Sequence, residues 1–374
     1  MSAIYIHIPF CKQACNYCDF HFSTSLKYKD NLILAIASEL QIRKAEFENE
    51  AIESIYFGGG TPSVLSVSQI NFLLETVFLN YKIVENPEIT LEANPDDLSE
   101  NVIVELSKTK INRLSIGVQS FIERDLKFMN RAHNSQQAID CLRFATNFFD
   151  NLSVDLIYGI PNLSNNEWKQ NIQTAIDFGI PHLSSYALTV EPKTVLHKQI
   201  AIGKTVAPTD EQAHEQFQIL METLEKNNYT HYELSNFGKE NYFSKNNSAY
   251  WLGKKYLGVG PSAHSFDGQS RSWNIANNSF YIKSILEKKR PFETEKLSVS
   301  DCYNEYVMTG LRTIWGISLE KIAIDFGENY KAHIQKISAK YINQQLLVLE
   351  NNILKTTKKG KFLIDGIASD LFYV

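Results

Sequence analysis

Three cysteines, Cys11, Cys15 and Cys18, fall within eight residues near the start of the 374-residue chain in a C-x3-C-x2-C run, and Cys141 and Cys302 are the only others. A compact thiolate tripod can hold three irons of a 4Fe–4S cube and leave the fourth iron without a protein ligand. That open iron is a reaction site, because a substrate can bind it and take an electron. His21 lies three residues after Cys18 and would complete a Cys3His zinc set instead. Structural zinc usually draws its ligands from two separated pairs, and the crowding of these three on one loop favours the cube. A disulfide with a spare thiol is a third reading. The odd count of five and the lack of a leader-like opening argue against an oxidising compartment. Cys141 and Cys302 are expected to be ordinary buried thiols.

Something must hold that loop. Short apolar, β-branched runs predict strands at Ala3–Ile8, Ile52–Phe57, Glu88–Glu92, Asn112–Val118, Leu152–Ile157 and His182–Ala187. Between them Tyr28–Phe47, Val67–Tyr81, Ser99–Thr109, Ser135–Phe148 and Asn165–Phe178 carry apolar residues at helical spacing. Asp97 or Ser99 caps one helix, and Ser164 with Glu167 forms a capping box on another. Six strand–helix units demand a parallel sheet, either an open partial barrel or an open doubly wound sheet.

In such sheets chemistry gathers at the carboxyl ends of the strands. The cysteine loop follows the first strand and Gly58-Gly59-Gly60-Thr61-Pro62 the second. Glu92 closes the third, Gln119 follows the fourth, Asp155 lies in the fifth and Tyr186-Ala187 ends the sixth. Each strand delivers something small, polar or metal-binding to one rim, which makes a composite site. The glycines lack the Lys-Ser/Thr of a P-loop and serve either a tight turn or the close approach of a ligand to backbone. Taken alone, Gln119 and Asp155 serve equally well as strand-end caps, and Arg131 as a surface arginine.

Together these segments resemble one branch of the radical S-adenosylmethionine (SAM) superfamily, which contains HemN, the oxygen-independent coproporphyrinogen III oxidase, and HemW, the related haem chaperone. The matching segments are Tyr5 to Cys11, Gly58 to Pro62, Leu91 to Pro95, Ser115 to Ser120, Arg131 to His133 and Asp155 to Pro161. The resemblance implies a partial (β/α)6 radical SAM barrel over residues 1–240. It implies a 4Fe–4S cluster on Cys11, Cys15 and Cys18, with SAM chelated at the open iron and cleaved by one electron. It also implies SAM contacts at Tyr5, Tyr17, Asp19, Gly59, Gly60, Thr61, Glu92, Gln119, Arg131, Asp155 and Ala187. A guanidinium at Arg131 suits the SAM carboxylate, Gln119 and Asp155 suit ribose hydroxyls, and the backbone of Gly59 to Thr61 suits the amino group.

Within the branch, HemN carries a further cysteine two residues after the third, where this chain has Phe20, as in HemW. HemN also has a long segment before the cysteine loop, whereas Cys11 here follows ten residues. Both features point to a haem chaperone that transfers haem to an acceptor protein, with the oxidase as the alternative. HemW proteins commonly carry a His-Asn-x-x-Tyr-Trp element, and here Asn246 stands in place of that histidine, before Asn247, Tyr250 and Trp251. An amide oxygen is a poor ligand for haem iron, which leaves His264 as a candidate ligand or a structural cap.

Residues 241–300 are read as a connecting segment bearing this Tyr-Trp element, and 301–374 as a winged-helix-like module. That module shows helical patterns at Asp301–Thr313 and Leu319–Phe326, then Leu346–Leu349, Asn351-Asn352, Ile353–Lys355, Thr356–Gly360 and Phe362–Ile364. Covering the barrel mouth or meeting a partner protein are its expected tasks. A net charge of −5 and no Arg/Lys-rich recognition helix speak against nucleic acid, and Lys358, Lys359 and Lys361 read as a solvated turn. No apolar stretch approaches the ~20 residues of a membrane span, and a cytoplasmic protein is expected.

Overall fold

The computed structural model describes residues 2–374. Strands β1 (Ser2–Ile8), β2 (Ile52–Gly59), β3 (Ile83–Ala93), β4 (Arg113–Gln119), β5 (Leu152–Tyr158) and β6 (His182–Ala187) are parallel neighbours in that order. Right-handed crossovers between strands laid down in sequence put every helix on one side of the wall, whereas a doubly wound sheet reverses its order part-way. The wall is therefore a partial (β/α)6 barrel with its helices outside. Ser66, Ser99, Asn134 and Ser164 cap helices Val67–Asn80, Glu100–Leu106, Ser135–Ala145 and Asn165–Asp177, and Ser164 does so in a capping box with Glu167. The outward strand positions Ile4, Ile6, Ile8, Ile55, Phe57, Leu91, Leu114 and Val154 are fully buried against those helices.

Strands β7 (Thr230–Glu233) and β8 (Asn236–Gly238) extend the sheet beyond β6. On the other side β9 (Tyr256–Val259) runs parallel to β1. Strands β10 (His264–Phe266), β11 (Ser270–Asn274) and β12 (Phe292–Lys296) continue from it in antiparallel fashion. Residues 241–300 thus widen the wall to twelve strands. Helix Lys245–Trp251 packs on β1 and β2, with the backbone N–H groups of Lys245 and Asn246 donating to Glu88 Oε2 and Oε1 at 3.1 and 3.2 Å. Glu88 lies near the amino ends of the parallel strands, so this helix closes the barrel floor.

A second core is built on helix Val299–Leu311, β13 (Ile317–Ser318), helices Leu319–Asp325 and Glu328–Asn343, β14 (Leu347–Glu350) and β15 (Ile353–Thr356). This helix–strand–helix–helix–hairpin succession is a winged-helix order, with β15 between the other two strands. Asn351 and Asn352, both at positive φ, make the tight hairpin turn. Phe362 lies in a 3-10 turn, Lys361–Leu363, with its ring 4.7 Å from His214 and 5.9 Å from Phe217 of the barrel. Lys358 and Lys359 of the basic run stand exposed in a turn, as expected, but Lys361 does not. Lys361 Nζ donates to His231 O at 3.3 Å, and burial lowers its pKa to about 7, while Lys358 pairs with Glu225 at 2.6 Å. These lysines clasp the two cores together. No helix among the described residues is long and apolar enough to cross a membrane.

Candidate cofactor site at the carboxyl rim of the barrel

The loop after β1 carries the three cysteines, and its backbone is tied on both sides. Cys11 N–H donates to Ser23 O at 3.1 Å, Asn16 N–H to Met129 O at 3.0 Å, and Leu196 N–H to Asn16 O at 2.8 Å. The loop borders a cavity of about 680 Å³. All fourteen residues singled out in the sequence line it: the three cysteines with Tyr5, Tyr17, Asp19, Gly59, Gly60, Thr61, Glu92, Gln119, Arg131, Asp155 and Ala187. Phe20 and Tyr186, both named in the sequence, line it as well, and so do His7, Gln13, Asn94, Ser115, Gly117 and Glu191, which the sequence did not mark as site residues. Of these, His7 and Gly117 sit at inward strand positions, and that alternation is the signal that reaches them.

The thiols meet donors and a cation. Thr61 Oγ1 donates to Cys11 Sγ at 3.4 Å and Arg131 Nη1 to Cys15 Sγ at 3.3 Å. Burial pushes the Cys18 thiol up to about 11 and raises that of Cys11. His21 turns away from the thiols, its Nε2 lying 2.8 Å from Asn278 Oδ1. Among the described residues no three His, Cys, Asp or Glu side chains gather as a site for one metal ion. Cys141 is buried, with its thiol pushed up to about 12. Cys302 is half-buried on helix Val299–Leu311, more open than expected, because it lies in the first turn of that helix, off the apolar face that carries Tyr303 and Val307.

Arg131 is held rather than free. Its Nη2 donates to Asn94 Oδ1 at 2.6 Å and to Gly117 O at 2.7 Å, while its buried Nε has no partner. A Cβ on Gly117 would stand 3.3 Å from that guanidinium and 2.9 Å from Gln119 Nε2, so glycine lets them converge. Gln119 itself sits at φ 68, a left-handed conformation uncommon for a side-chain-bearing residue. It ends β4 beside a register shift, which re-aims its side chain into the cavity. Gly59 has φ +111, and a Cβ there would meet the His7 ring at 2.5 Å. That turn leads the backbone directly past the cysteine loop, with Gly60 N–H donating to Ile8 O and Thr61 N–H to Phe10 O.

Beneath the turn, Tyr56 Oη donates to Glu92 Oε1 at 2.7 Å and Gly59 N–H to Glu92 Oε2 at 3.2 Å. Burial raises the Glu92 pKa to about 7 and that of Asp155 to about 6. Ser115 Oγ donates to Asp155 Oδ1 at 3.4 Å. Below them a polar chamber of about 50 Å³ is walled by Arg113, Ser153, His182 and Ser184. His182 there bridges Ser153 Oγ at 2.7 Å and Tyr232 Oη at 2.8 Å.

The donor set fits the two groups expected here. Three thiols line the cavity without His21, the histidine that would complete a Cys3His set, which suits an iron–sulfur rather than a mixed zinc centre. The partnerless Arg131 Nε and the paired acids Glu92 and Asp155 offer an anion and a cation counterpart, which a zwitterionic amino acid moiety needs. Asn246 is 2 % exposed in the barrel floor, with its Oδ1 unpartnered.

The Radical SAM superfamily model matches residues 5–175, and the HemN C-terminal domain model matches 297–363. The chain is 34% identical over 377 residues to the heme chaperone HemW of Lactococcus lactis, covering 98% of each. It is 32% identical to the heme chaperone HemW of Bacillus subtilis, covering 97% of each. Among solved structures, the coproporphyrinogen III oxidase HemN of Escherichia coli superposes with a TM-score of 0.86 at 23% identity, over 99% of this chain and 90% of that one, which is a likeness of fold.

Proposed function

Because the chain belongs to the radical SAM superfamily, in the branch of HemN and HemW, we propose that it is a haem chaperone of the HemW type. It would hold a 4Fe–4S cluster on Cys11, Cys15 and Cys18, bind SAM beside it, and pass haem to an acceptor protein. The observation that carries this reading is the pairing of that thiol tripod with Phe20, which is 70 % exposed at the cavity mouth. The oxidase of the same branch places a further cysteine at that position.

Bound at the tripod, the cluster would supply one electron at an open iron. The protein's own part is positioning and exclusion of water. Arg131, fixed by Asn94 and Gly117, presents its free Nε to a carboxylate, a charge-assisted hydrogen bond of about 1.5–3 kcal/mol. Glu92, fixed by Tyr56 and Gly59, faces an ammonium group, whose charge would draw the proton off the raised acid. Gln119 and Asp155 at neighbouring strand ends offer an amide and a carboxyl to hydroxyls. Tyr5, Tyr17 and Ala187 close the walls.

The test offers the anaerobically reconstituted protein haem in one arm and coproporphyrinogen III, SAM and a reductant in the other. The chaperone reading expects stoichiometric haem uptake and its passage to an apo-haemoprotein, with no tetrapyrrole conversion. Formation of protoporphyrinogen IX would assign the oxidase activity instead.

A further inference from the structure

Nine histidines are available to meet an external iron. His7, His133 and His182 are buried. His21, His214, His231 and His333 are each hydrogen-bonded inside the protein. The two that are exposed without a hydrogen bond among the described residues are His197 and His264. His197 lies on helix Val195–Ala201 with no aromatic ring against it. His264 is different. It opens β10 opposite Trp273 of β11, with the rings 5.8 Å apart and inclined by 28°.

Register fixes the side on which His264 stands. Ala3 and Tyr5 on β1 pair with Tyr256 and Gly258 on β9, Tyr256 pairs with Phe266, and Phe266 and His264 pair with Arg271 and Trp273. Paired and alternate residues share a face. His264, Phe266, Arg271 and Trp273 therefore continue the inner face of the barrel, the face that carries Tyr5 and His7 to the cysteine loop. His264 is near enough to His7 to lower the pKa of that buried ring, after burial and His21. Ser265, between His264 and Phe266, turns to the other side and takes a hydrogen bond from Arg43 at 3.2 Å.

The surroundings suit one class of ligand. Arg271 pairs with Glu305 at 2.8 Å, yet its side chain is 39% exposed. It sits over the Phe266 ring at 5.8 Å and lowers the His264 pKa behind the larger effect of burial, which favours the neutral, ligating imidazole. A neutral imidazole braced by an indole, an aromatic wall and a guanidinium match an iron porphyrin with carboxylate arms.

We propose that His264 is the iron ligand for haem in this protein, with Trp273 bracing the imidazole and Arg271 receiving a propionate. The proposal rests on the haem-chaperone reading. It places the cargo on the strand extension beside the cluster rim rather than at Asn246 in the barrel floor.

The test titrates ferric haem into cluster-loaded full-length protein and follows the Soret band, the low-spin electron paramagnetic resonance signal and the affinity. His264→Ala should weaken binding at least tenfold and remove the imidazole signature. His264→Met should retain binding with a shifted spectrum, and His197→Ala should match the parent. Circular dichroism and iron content report whether each variant is folded. An unchanged spectrum in folded His264→Ala protein, or a thiolate-type spectrum in the parent, overturns the assignment while leaving the chaperone reading intact. No haem uptake by the parent at all overturns both.

Discussion

Glu92 gives the sharpest handle on the cavity. Its carboxyl is held by Tyr56 Oη and the Gly59 N–H, and burial raises its pKa from 4.5 to about 7. The native state thus binds this proton more tightly than the unfolded chain does. Between pH 4.5 and 7 the native state carries the extra proton, so stability falls as pH rises through that window. At 1.36 kcal/mol per pKa unit the full shift is worth about 3 kcal/mol. The carboxyl is only half-buried at the cavity wall, and solvent there brings the expected effect to about 2–3 kcal/mol. Glu92→Gln keeps the shape and removes the titration, since the amide oxygen can accept from Gly59 while the Tyr56 hydroxyl turns to accept from the amide. In cluster-free and SAM-free protein, the variant and parent should have the same stability at pH 4.5–5. Above pH 7.5 the variant should be more stable. At about 2.1 cal/mol/K per residue of unfolding entropy, 2–3 kcal/mol is a melting shift of roughly 3–4 °C. Melts at a series of pH values measure the difference directly. Parallel curves for the two proteins from pH 5 to 7.5 would refute the reasoning.

Cys15→Ala should cut reconstituted iron from about four atoms per chain to well below one, measured by iron and sulfide analysis; stoichiometric zinc in the parent would contradict the cluster. Arg131→Ala should weaken SAM binding by about 1.5–3 kcal/mol in calorimetry, and unchanged affinity would remove Arg131 from the site. Glu39 is fully buried and accepts from Arg43, Asn274, Tyr281 and the Gly260 N–H, with Arg290 3.6 Å away. Glu39→Ala leaves Arg290 without a carboxylate neighbour and Arg43 with Glu46 alone, and strips the acceptor from Asn274, Tyr281 and the Gly260 N–H, so it should cost about 3–5 kcal/mol in denaturant unfolding; a loss under 1 kcal/mol would mean that solvent already reaches the network.

The barrel wall was legible because its six strands are apolar on their outer faces and end in polar or glycine residues, so periodicity and position give the same answer. What escaped depends on contacts that no local pattern carries. Strand β9 is only four residues long, and its partner β1 lies about 250 residues earlier. Glu88 looked like an ordinary strand residue, yet its carboxylate anchors the helix that closes the floor. Strand β3 begins at Ile83 rather than Glu88 because the exposed Glu85-Asn86 pair and the Pro87 that follows interrupt the apolar pattern without ending the extended chain. Helix Glu328–Asn343 carries Tyr330, Ile334, Ile337 and Tyr341 at helical spacing against the second core, a signal that reaches it, but it opens at Gly327 with no side-chain cap to mark its start. The left-handed backbone of Gln119 follows from a shift in pairing between β4 and β5, which sequence alone does not display.

The position of β1 between β2 and β9 has a consequence for synthesis. The strand that leads into the cysteine loop leaves the ribosome about 250 residues ahead of one of its two neighbours, which is completed only at Val259. Glu39, on the first helix, likewise waits for Gly260, Asn274 and Tyr281. Until Tyr281 has emerged, the loop hangs from a sheet with an open flank, and closure depends on contacts of very long sequence separation, which form slowly. A nascent chain stalled before residue 256 should therefore leave its three thiols open to alkylation, whereas one extended past Tyr281 should protect the strand that carries them.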